Sequence, residues 1–319
     1  MAYVKEIFIH PVKSLRGLSV KESEVDLYGF KHDRKFMVCE TDPKNSERYK
    51  FSTQRQYPQF TLVHPTIDEG NNLLTLDYPP EKIQLSIPLT ISSEIAEKCP
   101  VLDTLIWGEY PQSLDLSAVY PEITTFFERV TGIASDSGRR ITLVAPFVRR
   151  EVSMGLGESD RSVINRETPE SAYQDYFPGN LICEKSLSDL ERRVQEKTNG
   201  EVKLSPRNFR PNMVIANTEQ PWDEDGWKRI RIGNHEWIVP CRNIRCQITT
   251  VNLSSGKFET SREPYKTMQS FRRIDTGSKY APCFGMNLIN CDTQFTVKVG
   301  DQLTVLERGD HHYPRVLKG

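Results

Sequence analysis

The sequence predicts a β-rich α+β protein that is soluble and has two domains. Many short apolar or β-branched segments in the first third are separated by polar turns, which is typical of a β-meander or a small barrel. Only a few segments show helical periodicity with recognisable start and stop signals. The length of 319 residues suits about two domains of ordinary size.

The first domain is predicted to span residues 1–138 and to consist mainly of strands. The strand predictions are residues 4–9, 18–27, 35–39, 60–63 and 73–76. A helix is predicted over residues 120–132, because Pro121 lies near its start and Gly132 just past its end. The polar stretch 134–140 then indicates the domain boundary.

The second domain is predicted to span residues 139–309. Its strand predictions are residues 141–144, 180–183, 213–216, 228–232, 237–239 and 248–251, followed by a closing hairpin of residues 295–301 and 303–306. Ser186 and Asp189 fit an S-x-x-D cap that opens one helix, and residues 264–274 fit another. Residues 310–319 are expected to be a frayed tail with solvated histidines.

Composition excludes several classes of function. The chain has 42 basic and 43 acidic residues, so nothing indicates a nucleic-acid partner. No apolar run approaches the ~20 residues that span a bilayer, and we expect no membrane span in this chain. The seven cysteines are scattered without a C-x-x-C pair, which argues against a zinc ribbon or a disulfide framework. We therefore expect an intracellular, reducing compartment.

Cys246 is the most informative cysteine. It follows Arg245, and a thiol beside a guanidinium loses its proton more easily. The thiolate is the form that binds metals or attacks electrophiles. On these two residues alone, a buried structural cysteine is the commoner interpretation.

Four segments combine a cation with small polar residues near the ends of predicted strands: residues 10–15, 32–34, 208–212 and 245–246. Each cation alone is more often a solvated surface group. Together they could supply several donors to a polyanionic ligand. Phosphate is the ligand that Arg forks and Lys charges match best.

The order of these motifs resembles the MOSC superfamily, the domain found at the end of molybdenum-cofactor sulfurases. Within it, the chain is most similar to the two-domain mitochondrial amidoxime-reducing components, over about residues 3–307. The resemblance rests on the following segments: residues 9–14, Gly29 with Asp33 and Arg34, and residues 186–190, 208–212, 245–246, 249–251, 284–285 and 297–301.

The resemblance implies an N-terminal MOSC-associated β-barrel domain and a C-terminal MOSC β-barrel with flanking helices. It also implies the molybdenum cofactor (Mo-molybdopterin), with Cys246 as the metal ligand and catalytic centre. Soft thiolate ligation suits such a metal. The positions that would hold the pterin and its phosphate are Lys13, Ser14, Arg34, Ser186, Asn208, Arg210 and Arg245. Ser186 fits a plain helix cap equally well.

The implied activity is the reduction of N-hydroxylated compounds, such as amidoximes and hydroxylamines, with two electrons and two protons and release of water. The chain carries no Rossmann fingerprint or haem motif, so electrons must come from outside. Kinship implies cytochrome b5 and NADH-cytochrome b5 reductase as the source, and we expect a monomer in the cytosol or at the mitochondrial outer membrane. A non-catalytic carrier of cofactor or sulfur and a cofactor-free interaction module remain alternatives.

Two departures from the family pattern stand near Cys246. More residues separate Cys241 from Cys246 than in the common pattern, which leaves the loop shape and the role of Cys241 open. A buried packing role for Cys241 is the commoner interpretation. Asn252 stands where many relatives carry aspartate, which removes a potential charge near the site.

Overall fold

The computed structural model describes residues 1–42, 45–134, 136–148, 150–151, 162, 164 and 170–314. The first part of the chain contains β1 (Ala2–Ile9), β2 (Val12–Lys13), β3 (Leu18–Val20), β4 (Glu22–Asp26), β5 (Gly29–Phe30), β6 (Phe36–Asp42), β7 (Asn45–Phe51), β8 (His64–Asp68), β9 (Leu73–Tyr78), β10 (Ile83–Pro88), α1 (Ser93–Lys98), β11 (Val101–Leu105), β12 (Gln112–Asp115), α2 (Glu122–Thr131) and β13 (Ile141–Pro146). The second part contains β14 (Arg150–Glu151), β15 (Glu170–Ser171), β16 (Gly179–Cys183), α3 (Glu184–Thr198), β17 (Met213–Ala216), β18 (Trp227–Ile232), β19 (His235–Ile238), β20 (Arg242–Ile244), α4 (Tyr265–Phe271), β21 (Cys283–Asn290), β22 (Phe295–Lys298) and β23 (Gln302–Arg308).

The first barrel is closed by five strands in the order β13-β12-β11-β7-β6, because β13 also pairs with β6. The short strand β2 adds to β6 on the outside of this ring. The apolar face of α2 packs into the same core as Phe36, Phe60 and Leu143. This helix begins and ends close to its predicted bounds, and Gly132 adopts the left-handed conformation that ends it.

The second barrel is closed by seven strands in the order β16-β17-β1-β23-β18-β19-β21, because β16 also pairs with β21. Trp227, Trp237 and Met286 fill its interior. The helices α3 and α4 contribute to a further cluster on its flank that contains Leu190, Met268 and Phe284. The strand β1 comes from the very start of the chain, so the first segment belongs to the second barrel.

The predicted β-rich architecture of two barrels is confirmed, and several local predictions are wrong. Residues 60–63 and 248–251, predicted as strands, belong largely to the short 3-10 helices Pro58–Leu62 and Gln247–Thr250. The predicted closing hairpin does not form, since β22 pairs with β4 while β23 pairs with β18 and β1.

Two boundaries also differ from expectation. The strand β13 pairs with β12 and β6, so the first barrel extends beyond the predicted end at residue 138. Within the predicted boundary stretch, residue 135 lies outside the described residues. His311, expected in a frayed tail, is only 5% exposed. Among the described residues, no helix is long and apolar enough to cross a membrane.

Candidate functional site

A cavity of about 300 Å³ lies between the two barrels. The first barrel and its approaches contribute Lys13, Phe51 and Trp107 to its wall, and the second contributes Phe209 and Cys246. Seven of the eight predicted site residues line it: Lys13, Ser14, Arg34, Asn208, Arg210, Arg245 and Cys246. The structure therefore brings together segments that are far apart in the sequence.

Cys246 lies in the loop that follows β20, immediately before the 3-10 helix Gln247–Thr250. It is the one cysteine of the seven that is partly exposed, and the other six are buried. The Thr249 hydroxyl donates a hydrogen bond of 3.1 Å to the Cys246 carbonyl oxygen, which fixes the turn. The Cys246 thiol is thus the only one in this chain that a ligand in the cavity can reach.

Asn208 braces the turn that follows Cys246. Its Nδ2 donates to the carbonyl oxygen of Val251 at 3.1 Å, and its Oδ1 accepts from the Ser205 amide at 3.0 Å. Ser205 and Asn208 together form a capping box. The main contribution of Asn208 to the site is therefore to hold the Cys246 loop against the segment that carries Arg210.

Arg245 is a buried cation with one unused donor. Its Nε and Nη1 donate to the carbonyl oxygens of Phe284 and Phe209 at 2.7 and 2.8 Å. Its Nη2 is buried and has no hydrogen-bond partner among the described residues. Burial lowers the pKa of Arg245 to about 10, which still leaves it charged at neutral pH. A buried, charged, unpartnered donor beside a cavity is suited to an anion.

Arg34 and Arg210 form the second cationic group of the wall. Arg34 Nη2 donates to the Arg210 carbonyl oxygen at 3.1 Å, and Arg34 Nη1 pairs with Asp33 behind it. Burial raises the pKa of Asp33, but the charges and hydrogen bonds of Arg34 and His10 together outweigh this and lower that pKa to about 2. Burial and the Arg34 charge lower the pKa of Arg210 to about 9. Only Arg34 has a carboxylate partner here.

Lys13 also lines the cavity, and Tyr173 links it to Arg34. Its Nζ donates to the Tyr173 carbonyl oxygen at 2.8 Å and pairs with the Asp175 carboxylate. Burial lowers the pKa of Lys13 to about 8, although the Asp175 charge acts in the other direction. The ammonium group is therefore close to losing its charge under mildly alkaline conditions.

Three of the cavity residues adopt left-handed backbone conformations that non-glycine residues rarely occupy. The φ angles are 72° at Ser14, 48° at Arg34 and 52° at Arg210. Such conformations cost about 1–2 kcal/mol each for L-residues. Their concentration around one cavity indicates that the backbone is shaped for a ligand.

Ser186 does not belong to this cavity. It lies inside α3, which begins at Glu184, and its side chain is fully buried. Its hydroxyl donates to Glu224 Oε2 at 2.8 Å and accepts from the Trp222 amide at 2.8 Å. The predicted cap and cofactor roles of Ser186 are therefore not supported, because α3 starts two residues earlier than the S-x-x-D pattern indicated.

The two departures near Cys246 have structural explanations. Cys241 is fully buried, burial raises the pKa of its thiol to about 12, and its Sγ accepts from Asn287 Nδ2 at 3.4 Å. Asn252 donates from Nδ2 to Glu259 Oε1 at 2.7 Å and does not line the cavity. Cys241 is thus a packing residue, and Asn252 shapes a turn outside the site.

Sequence reasoning missed several cavity residues. Trp107 donates from Nε1 to Asp175 Oδ1 at 2.9 Å, and the Arg55 guanidinium lies 5.0 Å from the Trp107 ring centre. Tyr313 reaches the cavity from the segment after β23. The one available signal was the turn containing Trp107 and Gly108, since the rest depends on chain folding that local patterns do not reveal.

The charges of the cavity suit an anionic ligand. Five cations and one carboxylate of the described part of the chain line it: Lys13, Arg34, Arg55, Arg210, Arg245 and Asp175. Among the described residues, no group of three or more His, Cys, Asp or Glu side chains could hold a metal ion.

Comparisons with known proteins show the family to which the sequence is similar. Residues 1–129 match the MOSC N-terminal beta barrel domain, and residues 169–304 match the MOSC domain. The mitochondrial amidoxime reducing component 2 of Rattus norvegicus is 30% identical over 93% of this chain and 81% of that protein. The mitochondrial amidoxime-reducing component 1 of Homo sapiens is 27% identical over 95% and 82%. The molybdenum cofactor sulfurase of Arabidopsis thaliana is 27% identical over 85% of this chain but only 31% of that protein.

Proposed function

The chain belongs to the MOSC-domain family, with the N-terminal MOSC barrel in place, and on that premise we propose a molybdenum-cofactor-dependent reductase of N-hydroxylated compounds. Amidoximes and hydroxylamines are the proposed substrates. Electrons come from an external redox protein, for which cytochrome b5 and its NADH-dependent reductase are the proposed source. The free thiols of all seven cysteines support an intracellular, reducing location.

The observation that carries this proposal is that Cys246 and Arg245 are neighbours in the wall of the cavity. The single accessible thiol of the chain lies next to a buried guanidinium that keeps one donor unpartnered. A thiolate supplies the one soft ligand that the protein must give to the metal. The unpartnered Nη2 supplies a fixed donor for an anionic part of the cofactor.

The proposed role of each residue follows from its contacts. Cys246 anchors the metal, and Arg34, Arg210 and Arg245 bind the phosphate and pterin through donors on one wall. Lys13 adds a further positive charge to the cavity. When bound, the cofactor supplies the two-electron chemistry that cleaves the N–O bond. Because the Arg and Lys side chains are fixed by backbone carbonyls, they hold the cofactor without reorganising during turnover.

The test is molybdenum content per chain together with turnover of benzamidoxime by protein from a host that makes the cofactor. Cys246→Ala is expected to lose turnover and to retain less molybdenum, with little change in fold. Cys99→Ala is the matched control, since Cys99 is buried in the core of the first barrel and does not line the cavity. Full turnover by Cys246→Ala would exclude the ligand assignment.

A second candidate function is a non-catalytic carrier of molybdenum cofactor or sulfur. The similarity to a molybdenum cofactor sulfurase over about a third of that protein favours it. In that case the Cys246 thiol would carry a persulfide or hold the cofactor for transfer. Stoichiometric molybdenum without any turnover of N-hydroxylated substrates, in the presence of a chemical reductant, would favour the carrier.

A further inference from the structure

Residues 310–314 follow β23 and fold back onto the second barrel; we call them the strap. His311 is buried within it, with Nε2 lying 2.7 Å from the Trp227 carbonyl oxygen and Nδ1 lying 3.3 Å from the Pro240 carbonyl oxygen. Burial lowers the pKa of His311, while the two carbonyl contacts act in the other direction. Because both ring nitrogens face carbonyl oxygens, at least one of them donates a hydrogen bond.

A second set of contacts ties the strap to the strand that leads to Cys246. Arg242 begins β20, and its Nη1 donates to the His311 carbonyl oxygen at 3.0 Å and to Asp275 Oδ2 at 3.2 Å. The other oxygen of Asp275 accepts from the Tyr313 amide at 2.8 Å. The strap and the approach to Cys246 therefore share one buried ion pair, between Arg242 and Asp275.

Thr276 and Gly277 lie against the strap and contact it closely. A side-chain carbon at Gly277 would lie 2.0 Å from the Tyr313 carbonyl oxygen, a distance that excludes any other residue without movement of the strap. Beside it, Thr276 Oγ1 lies 2.8 Å from His312 Nδ1. The strap is thus held at three successive residues, His311, His312 and Tyr313.

Tyr313 lines the cavity that contains Cys246. Its ring packs against a cluster that includes Phe177, Ile238 and Cys241, with Tyr176 at its side. Trp107 lines the same cavity from the first barrel. The wall of the cavity is therefore partly aromatic, and one of its aromatic residues belongs to the strap.

We propose that Tyr313 is a specificity-determining residue that limits the size of the molecules that reach Cys246. The strap holds Tyr313 in this position through His311, Asp275 and the close contact at Gly277. The nature of the substrate rests on the function proposed above, but the restriction of access to the Cys246 thiol does not. Access can therefore be measured on cofactor-free protein.

The experiment compares alkylation of Cys246 by a small and a bulky reagent, iodoacetamide and a pyrene maleimide, with peptide mass spectrometry to identify the labelled thiol. Because the other six cysteines are buried, the initial rate reports on Cys246. In Tyr313→Ala, we expect the maleimide rate to rise about tenfold or more and the iodoacetamide rate to change by less than about twofold, since loss of a pocket wall chiefly affects large molecules. Tyr280→Ala is the matched control, because Tyr280 is 86% exposed.

Tyr313→Leu keeps the contact with the apolar cluster and is the second variant in case Tyr313→Ala fails to fold. It is expected to show a smaller but selective rise in the maleimide rate. Equal changes for both reagents would indicate general loosening and would overturn the proposal, as would no change in a folded variant. In loaded enzyme, Tyr313→Leu should lower KM for a bulky N-hydroxylated substrate relative to a small one, with molybdenum content unchanged. Labelling that behaves as expected in a protein without reductase activity would reject the proposed function and retain the access restriction.

Discussion

Replacing Arg210 by Met is expected to stabilise the ligand-free protein while weakening its affinity for anions. Burial and the Arg34 charge lower the pKa of Arg210 from 12.5 to about 9. At 1.36 kcal/mol per pH unit, that fall corresponds to about 5 kcal/mol lost by keeping the guanidinium charged in the folded state. Met removes this cost but also removes the hydrogen bond that Arg210 donates to the Leu15 carbonyl oxygen, worth roughly 1.5–3 kcal/mol. The expected net gain in unfolding free energy is roughly 2–3 kcal/mol.

Urea unfolding of the ligand-free proteins measures the first effect, with Arg273→Met as a control for loss of an exposed arginine. Calorimetric titration with pyrophosphate measures the second. Loss of one charge-assisted contact of roughly 1.5–3 kcal/mol corresponds to an affinity about 10- to 150-fold weaker. A decrease in unfolding free energy for Arg210→Met, or an unchanged affinity for pyrophosphate, would refute the reasoning that this cation is kept at a cost for an anionic ligand.

Three other expectations concern charge, backbone and the turn outside the site. Pyrophosphate binding should weaken as pH rises through about 8, because burial lowers the pKa of Lys13 to about 8 and the neutral amine no longer attracts an anion. In titrations across this range, the affinity of Lys13→Arg should depend less on pH than that of the wild type. A wild-type affinity that does not change with pH would contradict the expectation. Gly285→Ala should lower the unfolding free energy by about 3–5 kcal/mol, because its φ is 76° and its new carbon would lie 2.4 Å from a carbonyl oxygen of β16. Gly132→Ala is the control: its φ is 74° and nothing lies within 4 Å of the new carbon, so it should cost only about 1–2 kcal/mol. Equal costs for the two variants would contradict the steric explanation. Asn252→Asp should lower the unfolding free energy in urea by about 1–2 kcal/mol, because it places a second carboxylate beside Glu259. It should leave the alkylation rate of Cys246 unchanged. A changed rate would place residue 252 in the site.

The sequence pattern located most strands and the helix α2, because alternation and end signals are local properties. It failed where side chains bond to their own backbone. The run 248–251 is β-branched, yet the Thr249 and Thr250 hydroxyls donate to carbonyl oxygens three residues earlier and stabilise a 3-10 turn. At residues 60–63, Pro58 starts a 3-10 helix that overrides the apolar run. Pairing partners, such as β22 with β4, depend on the whole fold.

The cationic residues of the site could be predicted because their motifs follow one another in the same order as in the MOSC superfamily. Ser186 shows the limit of this reasoning, since a capping motif and a buried serine inside a helix share the same four-residue pattern. Trp107 and Tyr313 could not be predicted, because each reaches the cavity from a turn or strap whose position is set by distant contacts. Local sequence therefore identified the cationic residues of the cavity but not these two aromatic residues.

The position of β1 means that the two family domains are separate in the sequence but cannot fold separately. Val4 pairs with Ile215, so the edge of β1 that faces β17 lacks its partner until about two hundred further residues have been made. The other edge gains β3 early, but its start pairs only with β23. Until these strands exist, the unpaired amides and carbonyls of β1 are open to other chains. Contacts of such long sequence separation slow folding and extend the period of exposure. A fragment limited to residues 1–129 would carry a strand without its barrel, and one starting after the first barrel would leave the second ring open between β17 and β23.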